Sequence, residues 1–184
     1  MSQFDDHAIG TNVTGGVVET KRLLLRRLTP DDADLMLAIW TDPAFVQHVG
    51  DRGIHTIAKA RQTIGDNVLT LYETYGYGPY CMVRKDDAQR IGICGLFRRK
   101  TVPNPDIGFA VLPAYRGAGF ALEAARAVVQ YAREGLGIKT LDAIVSPMNK
   151  ASECLLEKLG LKFQRSITMP GETKEIGLYS INLS

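Results

Sequence analysis

Hydrophobic residues recur with two different periods along the chain, and the changes of period divide it into strands and helices. Short apolar or alternating runs bounded by turn residues predict strands, whereas apolar positions three or four residues apart predict helices. The predicted strands span residues 20–28, 80–84, 90–97, 106–112, 140–145, 161–167 and 176–183, and the predicted helices start at Thr29, Thr56, Gly119 and Asn149.

The order of these elements predicts the topology. Short connections join the strands at 80–84, 90–97 and 106–112, which favours an antiparallel meander. The strand–helix–strand unit from 106 to 145 predicts a crossover that makes one parallel pair. No repeat or long linker divides the chain, so we expect a flexible N-terminal tail at residues 1–16 and one mixed α/β domain at residues 17–184.

Composition narrows the class of protein. The 184 residues are 45% hydrophobic and 23% charged, which is typical of a globular domain. The net charge of +2 argues against a dedicated nucleic-acid binder, and no apolar run approaches the ~18 residues of a membrane span. The three cysteines, Cys81, Cys94 and Cys154, form neither a disulfide framework nor a metal motif with the histidines. We therefore expect a soluble, cytoplasmic protein with free thiols and without a membrane partner.

The segment from Tyr115 to Ala121 combines small residues with a predicted strand-to-helix junction. Exposed backbone amides at a helix N-terminus bind anions, and Arg116 adds a forked cation suited to phosphate. The segment is not a P-loop, because Phe120 and Ala121 stand where Lys and Ser/Thr are required. Leu122 and the preceding meander exclude a Rossmann fingerprint. A tight turn without a ligand is the alternative that spacing alone leaves open.

The loop and four further segments together resemble one known family. Arg116, Gly119 and Ala121 match the pattern Arg/Gln-x-x-Gly-x-Gly/Ala of the acyl-CoA pyrophosphate loop in GNAT acetyltransferases. Residues 106–113 resemble that family's central strand, and residues 149–163 resemble its Asn-x-x-Ser/Ala-x-x-Leu-Tyr-x-Lys-x-Gly-Phe segment. Residues 19–34 and 91–96 are similar to the branch that acetylates ribosomal-protein N-termini. The resemblance runs from about residue 17 to 183 in the family's order.

The resemblance implies the GNAT fold, which is a mixed sheet of six to seven strands with an antiparallel N-terminal part, a splayed parallel pair and helices on both faces. It also implies acetyl-CoA as the cofactor. The residues that would bind it are Phe109, Ala110 and Val111 for the pantetheine arm, Arg116, Gly117, Ala118, Gly119, Phe120 and Ala121 for the pyrophosphate, and Asn149 and Ser152 beside them. Helix capping remains an alternative role for Asn149, and Ser152 has an alternative with no contact to the cofactor.

Acyl transfer to an amine requires a proton acceptor, because the amine arrives mostly as ammonium. Asp106 is the candidate base that the resemblance implies, with a solvated turn aspartate as the alternative. The family's tyrosine acid is replaced by Leu156. The four tyrosines in residues 72–80 either line an acceptor pocket or pack in the core.

We therefore predict direct acetyl transfer to an amine acceptor, since neither Cys94 nor Cys154 has an activating base for a covalent route. The acceptor is a protein N-terminal amine or a small-molecule amine, with no direct nucleic-acid partner. A non-catalytic acyl-CoA-binding protein is the remaining alternative. The sequence leaves the oligomeric state open, a homodimer included.

Overall fold

In the computed structural model, which describes residues 16–171 and 173–184, the strands form one mixed sheet. Its strands are β1 (Gly16–Glu19), β2 (Leu23–Arg27), β3 (Pro79–Arg84), β4 (Arg90–Phe97), β5 (Asp106–Val111), β6 (Thr140–Val145), β7 (Lys162–Thr168) and β8 (Glu175–Asn182). They lie in the order β1-β2-β3-β4-β5-β6-β8-β7. Apart from Gly16, which begins β1, the predicted tail lies outside the described residues.

Helices cover both faces of this sheet, which confirms the predicted mixed α/β architecture. They are α1 (Ala33–Trp40), α2 (Pro43–Val49), α3 (Ile57–Thr63), α4 (Leu69–Tyr75), α5 (Phe120–Glu134) and α6 (Lys150–Lys158). A five-residue π-helical segment (Ile64–Val68) joins α3 to α4, so the single helix predicted from Thr56 onward contains an irregularity.

The N-terminal strand prediction was wrong in one respect. Residues 20–28, predicted as one strand, hold a turn followed by β2, and β2 forms an antiparallel hairpin with β1. Thr20 makes the turn, because its Oγ1 accepts a hydrogen bond from Leu23 N (2.9 Å) and its own amide donates to Leu23 O (2.8 Å). This local side-chain bond competes with a continuous strand. The described sheet therefore has eight strands instead of six to seven.

The sequence patterns do not predict helix α2, because Asp42-Pro43 is also typical of the end of the helix that starts at Thr29. The same dipeptide begins a helix, since Asp42 Oδ2 accepts a hydrogen bond from Phe45 N (3.1 Å) and Pro43 occupies the first helical position. No α2 residue is fully buried. Because the helix has no buried face, its sequence shows only a weak apolar pattern.

The sheet opens at β5 and β6, which form its parallel pair. Along one edge β5 pairs with β4 from Asp106 to Val111, but along the other it pairs with β6 only at Asp106 and Asp142. Beyond that point the strands diverge. The β6-facing backbone groups of residues 109–111 therefore have no strand partner within the described chain.

Gly95 is a site where packing requires glycine. A Cβ atom there would lie 2.6 Å from Pro79 Cα and would also overlap the carbonyl oxygen of Gly78, the residue before β3. We expect Gly95→Ala to lower the free energy of unfolding by about 1–3 kcal/mol, the usual cost of overpacking. Denaturant titration measures this effect. Gly65→Ala is the matched control, because a Cβ atom there meets open space, and equal stability of the two variants would contradict the prediction.

Candidate active site

A cavity of about 520 Å³ lies beside the gap between β5 and β6. Its walls come from the end of β5, the loop that leads into α5, and one face each of α2 and α6. Ten of the twelve residues proposed from the sequence line this cavity: Phe109, Ala110, Val111, Arg116, Gly117, Gly119, Phe120, Ala121, Asn149 and Ser152. An eleventh, Asp106, lies where β5 and β6 still pair, which is the closed end of the gap between these strands.

The loop before α5 presents backbone amides to this cavity. Gly117 and Gly119 have φ angles of 77° and 79°, a left-handed conformation that favours glycine. Gly119 is also the N-cap of α5 and offers no side chain to the first-turn amides. These amides have no intrahelical acceptor, and the helix dipole makes their surroundings positive. The loop geometry therefore suits an anion.

Arg116 is less free than its motif position predicts. Its Nε donates to Val111 O (2.9 Å), and its Nη2 donates to Asp42 Oδ2 (2.6 Å). The side chain thus ties the end of β5 to the N-terminus of α2. Arg116 is thus engaged within the protein, and the donors of this loop that stay open to an anion are its backbone amides.

A second arginine braces the loop from outside. Arg22 Nη1 donates to Ala118 O (2.9 Å), and its Nε donates to Glu123 Oε2 (2.6 Å). Its guanidinium also lies 4.3 Å from the centre of the Phe120 ring. Ala118 therefore faces Arg22 and is the one loop residue proposed from the sequence that does not line the cavity. Sequence reasoning missed Arg22 because no local pattern connects positions about a hundred residues apart.

Helix α6 supplies another wall. Asn149 Oδ1 accepts a hydrogen bond from Ser152 N (3.1 Å), so Asn149 caps this helix. Both residues also line the cavity, which leaves the amide nitrogen of Asn149 available to a ligand. Leu156, at the family's tyrosine position, is 2% exposed and packs in the core. Cys154 and Leu155 face the cavity instead.

Two buried aspartates face each other where β5 and β6 meet, and their surroundings differ. Asp142 Oδ2 accepts hydrogen bonds from Asn104, and its Oδ1 accepts one from Ser180 Oγ (2.6 Å). Asp106 is fully buried, yet neither of its oxygens has a hydrogen-bond partner of good geometry within the described residues. The Arg99 guanidinium lies against it as an ion pair. A carboxylate buried against a guanidinium at the junction of the two strands is a candidate functional group.

Positive charge gathers next to Asp106. Burial, together with the nearby charge of Arg52, lowers the pKa of Arg99 to about 10. Arg52 forms no ion pair with any described residue. Charges of both signs therefore gather where β5 and β6 pair, with Asp106 and Asp142 on the strands and Arg99 and Arg52 nearby.

The tyrosines at residues 72–80 do not line the cavity. Tyr72 is structural, since its hydroxyl accepts from Leu28 N (3.0 Å) and donates to Pro79 O. Tyr75 and Tyr77 stack on each other, with ring centres 5.8 Å apart. Tyr80 is fully buried. The structure favours the packing role over the acceptor pocket.

Sequence reasoning also missed Phe45 and His48, which line the cavity from α2. His48 Nδ1 is buried without a hydrogen-bond partner in the described chain. The helix signal at Asp42-Pro43 could have revealed both residues, because helical spacing places them on one face.

The cysteines are free thiols, as predicted. Burial raises the pKa of Cys81 to about 12 and raises that of Cys94 well above its usual range. Both thiols are therefore poor nucleophiles. Cys154 is exposed. Within the described residues, no three His, Cys, Asp or Glu side chains are arranged to hold a metal ion.

A larger cavity, of about 660 Å³, lies on the opposite face of α6, beside Glu153, Glu157 and Tyr179. Tyr179 donates a hydrogen bond to Glu153 (2.6 Å), and Glu153 also pairs with Lys150. The glycine loop is not part of this larger cavity, so the smaller cavity fits the anion-binding chemistry better.

The residues that form the splayed strands and the glycine loop lie within the part of the chain that a family model matches. The model is that of the acetyltransferase (GNAT) domain, and it matches residues 22–162. The chain belongs to the GNAT acetyltransferase family. Members of this family transfer acetyl groups from acetyl-CoA to amines, so the chain is an acetyltransferase by family and by fold.

Individual relatives agree with this GNAT assignment. The uncharacterized N-acetyltransferase YoaA of Bacillus subtilis (strain 168) is 27% identical over 170 residues, which cover 90% of this chain and 96% of that protein. The solved structure of RimL, a ribosomal L7/L12 α-N-protein acetyltransferase in complex with coenzyme A, is 14% identical with a TM-score of 0.75 and covers 89% of this chain and 95% of its own.

A spermidine N-acetyltransferase from Vibrio cholerae, in complex with CoA and spermine, is 13% identical with a TM-score of 0.74 and covers 89% of this chain and 97% of its own. At such identities the likeness of the solved structures shows the GNAT fold alone. Within the part of the chain that the structure describes, no helix combines the length and apolar character needed to cross a bilayer.

Proposed function

We propose that this GNAT family member transfers an acetyl group from acetyl-CoA directly to a primary amine, and that the acceptor is a protein N-terminal amine. The observation that carries the proposal is the cavity beside the β5–β6 gap. It combines an unpaired strand edge at residues 109–111 with the exposed amides of the loop at 116–121. When bound, acetyl-CoA supplies an activated acetyl group as a thioester.

The residues present fit such a cofactor. The first-turn amides of α5 would hold the pyrophosphate, with Gly117 and Gly119 keeping the backbone open to it. The free edge of β5 would hydrogen-bond the amides of the pantetheine arm as an added strand does. Asn149 and Ser152 would contact the arm from α6. With its phosphates at the loop, acetyl-CoA would point its thioester towards the closed end of the gap between β5 and β6, where Asp106 lies.

Asp106 is our proposed general base. Because its carboxylate is fully buried against Arg99, a proton from the acceptor reaches it through water. The amide formed needs two protons removed from an ammonium acceptor, so a base near the reacting nitrogen is required. Backbone amides of β5 are the proposed donors to the oxyanion that forms on the acyl carbon.

The resemblance of residues 19–34 and 91–96 to the branch that acetylates ribosomal-protein N-termini supports a peptide acceptor. RimL, a ribosomal L7/L12 α-N-protein acetyltransferase, shares the fold with a TM-score of 0.75. A small-molecule amine is the second candidate, because a spermidine N-acetyltransferase shares the fold with a TM-score of 0.74.

An acceptor panel tests this proposal. We expect peptides with a free N-terminus to give a kcat/KM at least about tenfold above that of spermidine, measured as thiol release from acetyl-CoA and as acetylated product by mass spectrometry. The control is the same peptide with a blocked N-terminus, which should give no product. Faster turnover of spermidine would contradict the acceptor proposal. Tight binding of acetyl-CoA without turnover of any amine would favour a non-catalytic acyl-CoA-binding protein.

A further inference from the structure

Helix α2 lines the cavity and runs away from the glycine loop. At one end Asp42 accepts a hydrogen bond from Arg116, beside the glycine loop (2.6 Å). At the other end the chain continues to Arg52, whose charge acts on Arg99 next to Asp106. The rise of 1.5 Å per residue places His48 about 9 Å along the helix axis from Asp42. His48 therefore lies on the side of the cavity that leads to the closed end.

His48 has free hydrogen-bonding capacity there. Its ring lines the cavity, and its Nδ1 is buried with no partner among the described residues. Its Nε2 makes no hydrogen bond within the described chain and is not among the buried atoms. A neutral imidazole offers one nitrogen as a proton acceptor and can release the proton again near neutral pH.

The other ionisable groups of the cavity are less suited to this task. Asp42 and Arg116 are paired with each other. Tyr115, Cys154 and Lys158 lie on the loop and on α6, across from α2. Asp106 lies beyond the cavity wall and against Arg99. His48 is thus the ionisable residue of the cavity wall that has a buried ring nitrogen without a partner among the described residues.

We infer that His48 is a catalytic residue that accepts the proton which the ammonium group of the acceptor loses before attack. This inference rests on the proposed function. An N–H bond of the ammonium breaks, its electron pair stays on nitrogen, and the proton bonds to the imidazole. The amine nitrogen then bonds to the acyl carbon while the carbon–sulfur bond breaks and its electron pair leaves on sulfur. Of the two protons lost by nitrogen, the first passes from the His48 imidazole to solvent. The second, lost once the carbon–nitrogen bond has formed, is the one proposed to move through water to Asp106, and it ends on the thiol.

The test compares His48→Gln with the matched variant His55→Gln in the full chain. His55 is 62% exposed and lies beside Asp51 (3.4 Å), outside the cavity wall. We expect His48→Gln to lower kcat about tenfold at pH 7, since water in an open cavity replaces part of the base. The loss should shrink as pH rises, because more of the acceptor is then neutral in solution. The affinity for acetyl-CoA should stay within about twofold, and His55→Gln should behave as the wild type.

A second readout does not depend on turnover or on the variant's folding. In the wild type, coenzyme A should shift the NMR signals of the His48 ring and leave those of His55 in place. Unshifted His48 signals, or a wild-type kcat in His48→Gln across the pH range, would overturn the inference while leaving the proposed function intact. A wild-type protein that acetylates no amine would overturn the proposed function, and the inference with it.

Discussion

Gly119→Asp is expected to lower the affinity for acetyl-CoA at least about 100-fold, or about 2.7 kcal/mol. The new carboxylate would stand at the N-terminus of α5, where the pyrophosphate is proposed to bind, and would repel it. The φ angle of 79° adds strain for any residue with a Cβ atom. Isothermal titration calorimetry with acetyl-CoA measures the change.

Gly137→Asp is the matched control for strain and charge. Gly137 also has a positive φ, of 65°, and a Cβ atom there meets open space. It follows α5 and is not part of the cavity wall. We expect this variant to bind acetyl-CoA as the wild type does. Equal affinities of the Gly119 and Gly137 variants would show that the loop before α5 is not the phosphate site.

Asp106→Asn is expected to lower kcat about 100-fold while the affinity for acetyl-CoA changes less than about twofold. Removal of a general base typically costs a factor of this size or more. The binding should persist because Asp106 lies outside the cavity wall. Steady-state kinetics with the best acceptor of the panel, together with calorimetry, separates the two quantities.

The control for loss of a buried charge is Asp142→Asn. Asp142 lies in register with Asp106 on β6, and its oxygens already accept hydrogen bonds from Asn104 and Ser180. We expect this variant to lose thermal stability but to keep most of its kcat. If Asp106→Asn turned over acceptors at the wild-type rate, Asp106 would be a structural residue and not a base.

The fold was predictable where local chemistry decides it. The meander β3–β4–β5 follows from apolar runs separated by short turns, and α5 follows from its apolar stripe. The backbone conformation of the glycine loop was predictable, because Gly117 and Gly119 favour the left-handed φ angles that the structure shows. Asn149 was predicted to cap α6, and it does.

The remaining features depend on contacts between distant segments. Arg22 braces Ala118 and Glu123 across about a hundred residues, and nothing in either segment indicates the other. The ion pair of Arg99 with Asp106 depends on how the β4–β5 connection folds back. His48 was missed for a different reason, because a helix that is exposed along most of its length leaves little hydrophobic period to detect.

The most direct test of the account is thiol release from acetyl-CoA, with the acetylated acceptor identified by mass spectrometry, in the wild type and in Gly119→Asp. We predict that the wild type releases thiol when an amine is present and that the acetyl group appears on the free N-terminus of a peptide acceptor. In Gly119→Asp we predict that this release is lost at sub-saturating acetyl-CoA. Release of equal rate in both proteins, or no acetylated amine with the wild type, would contradict it.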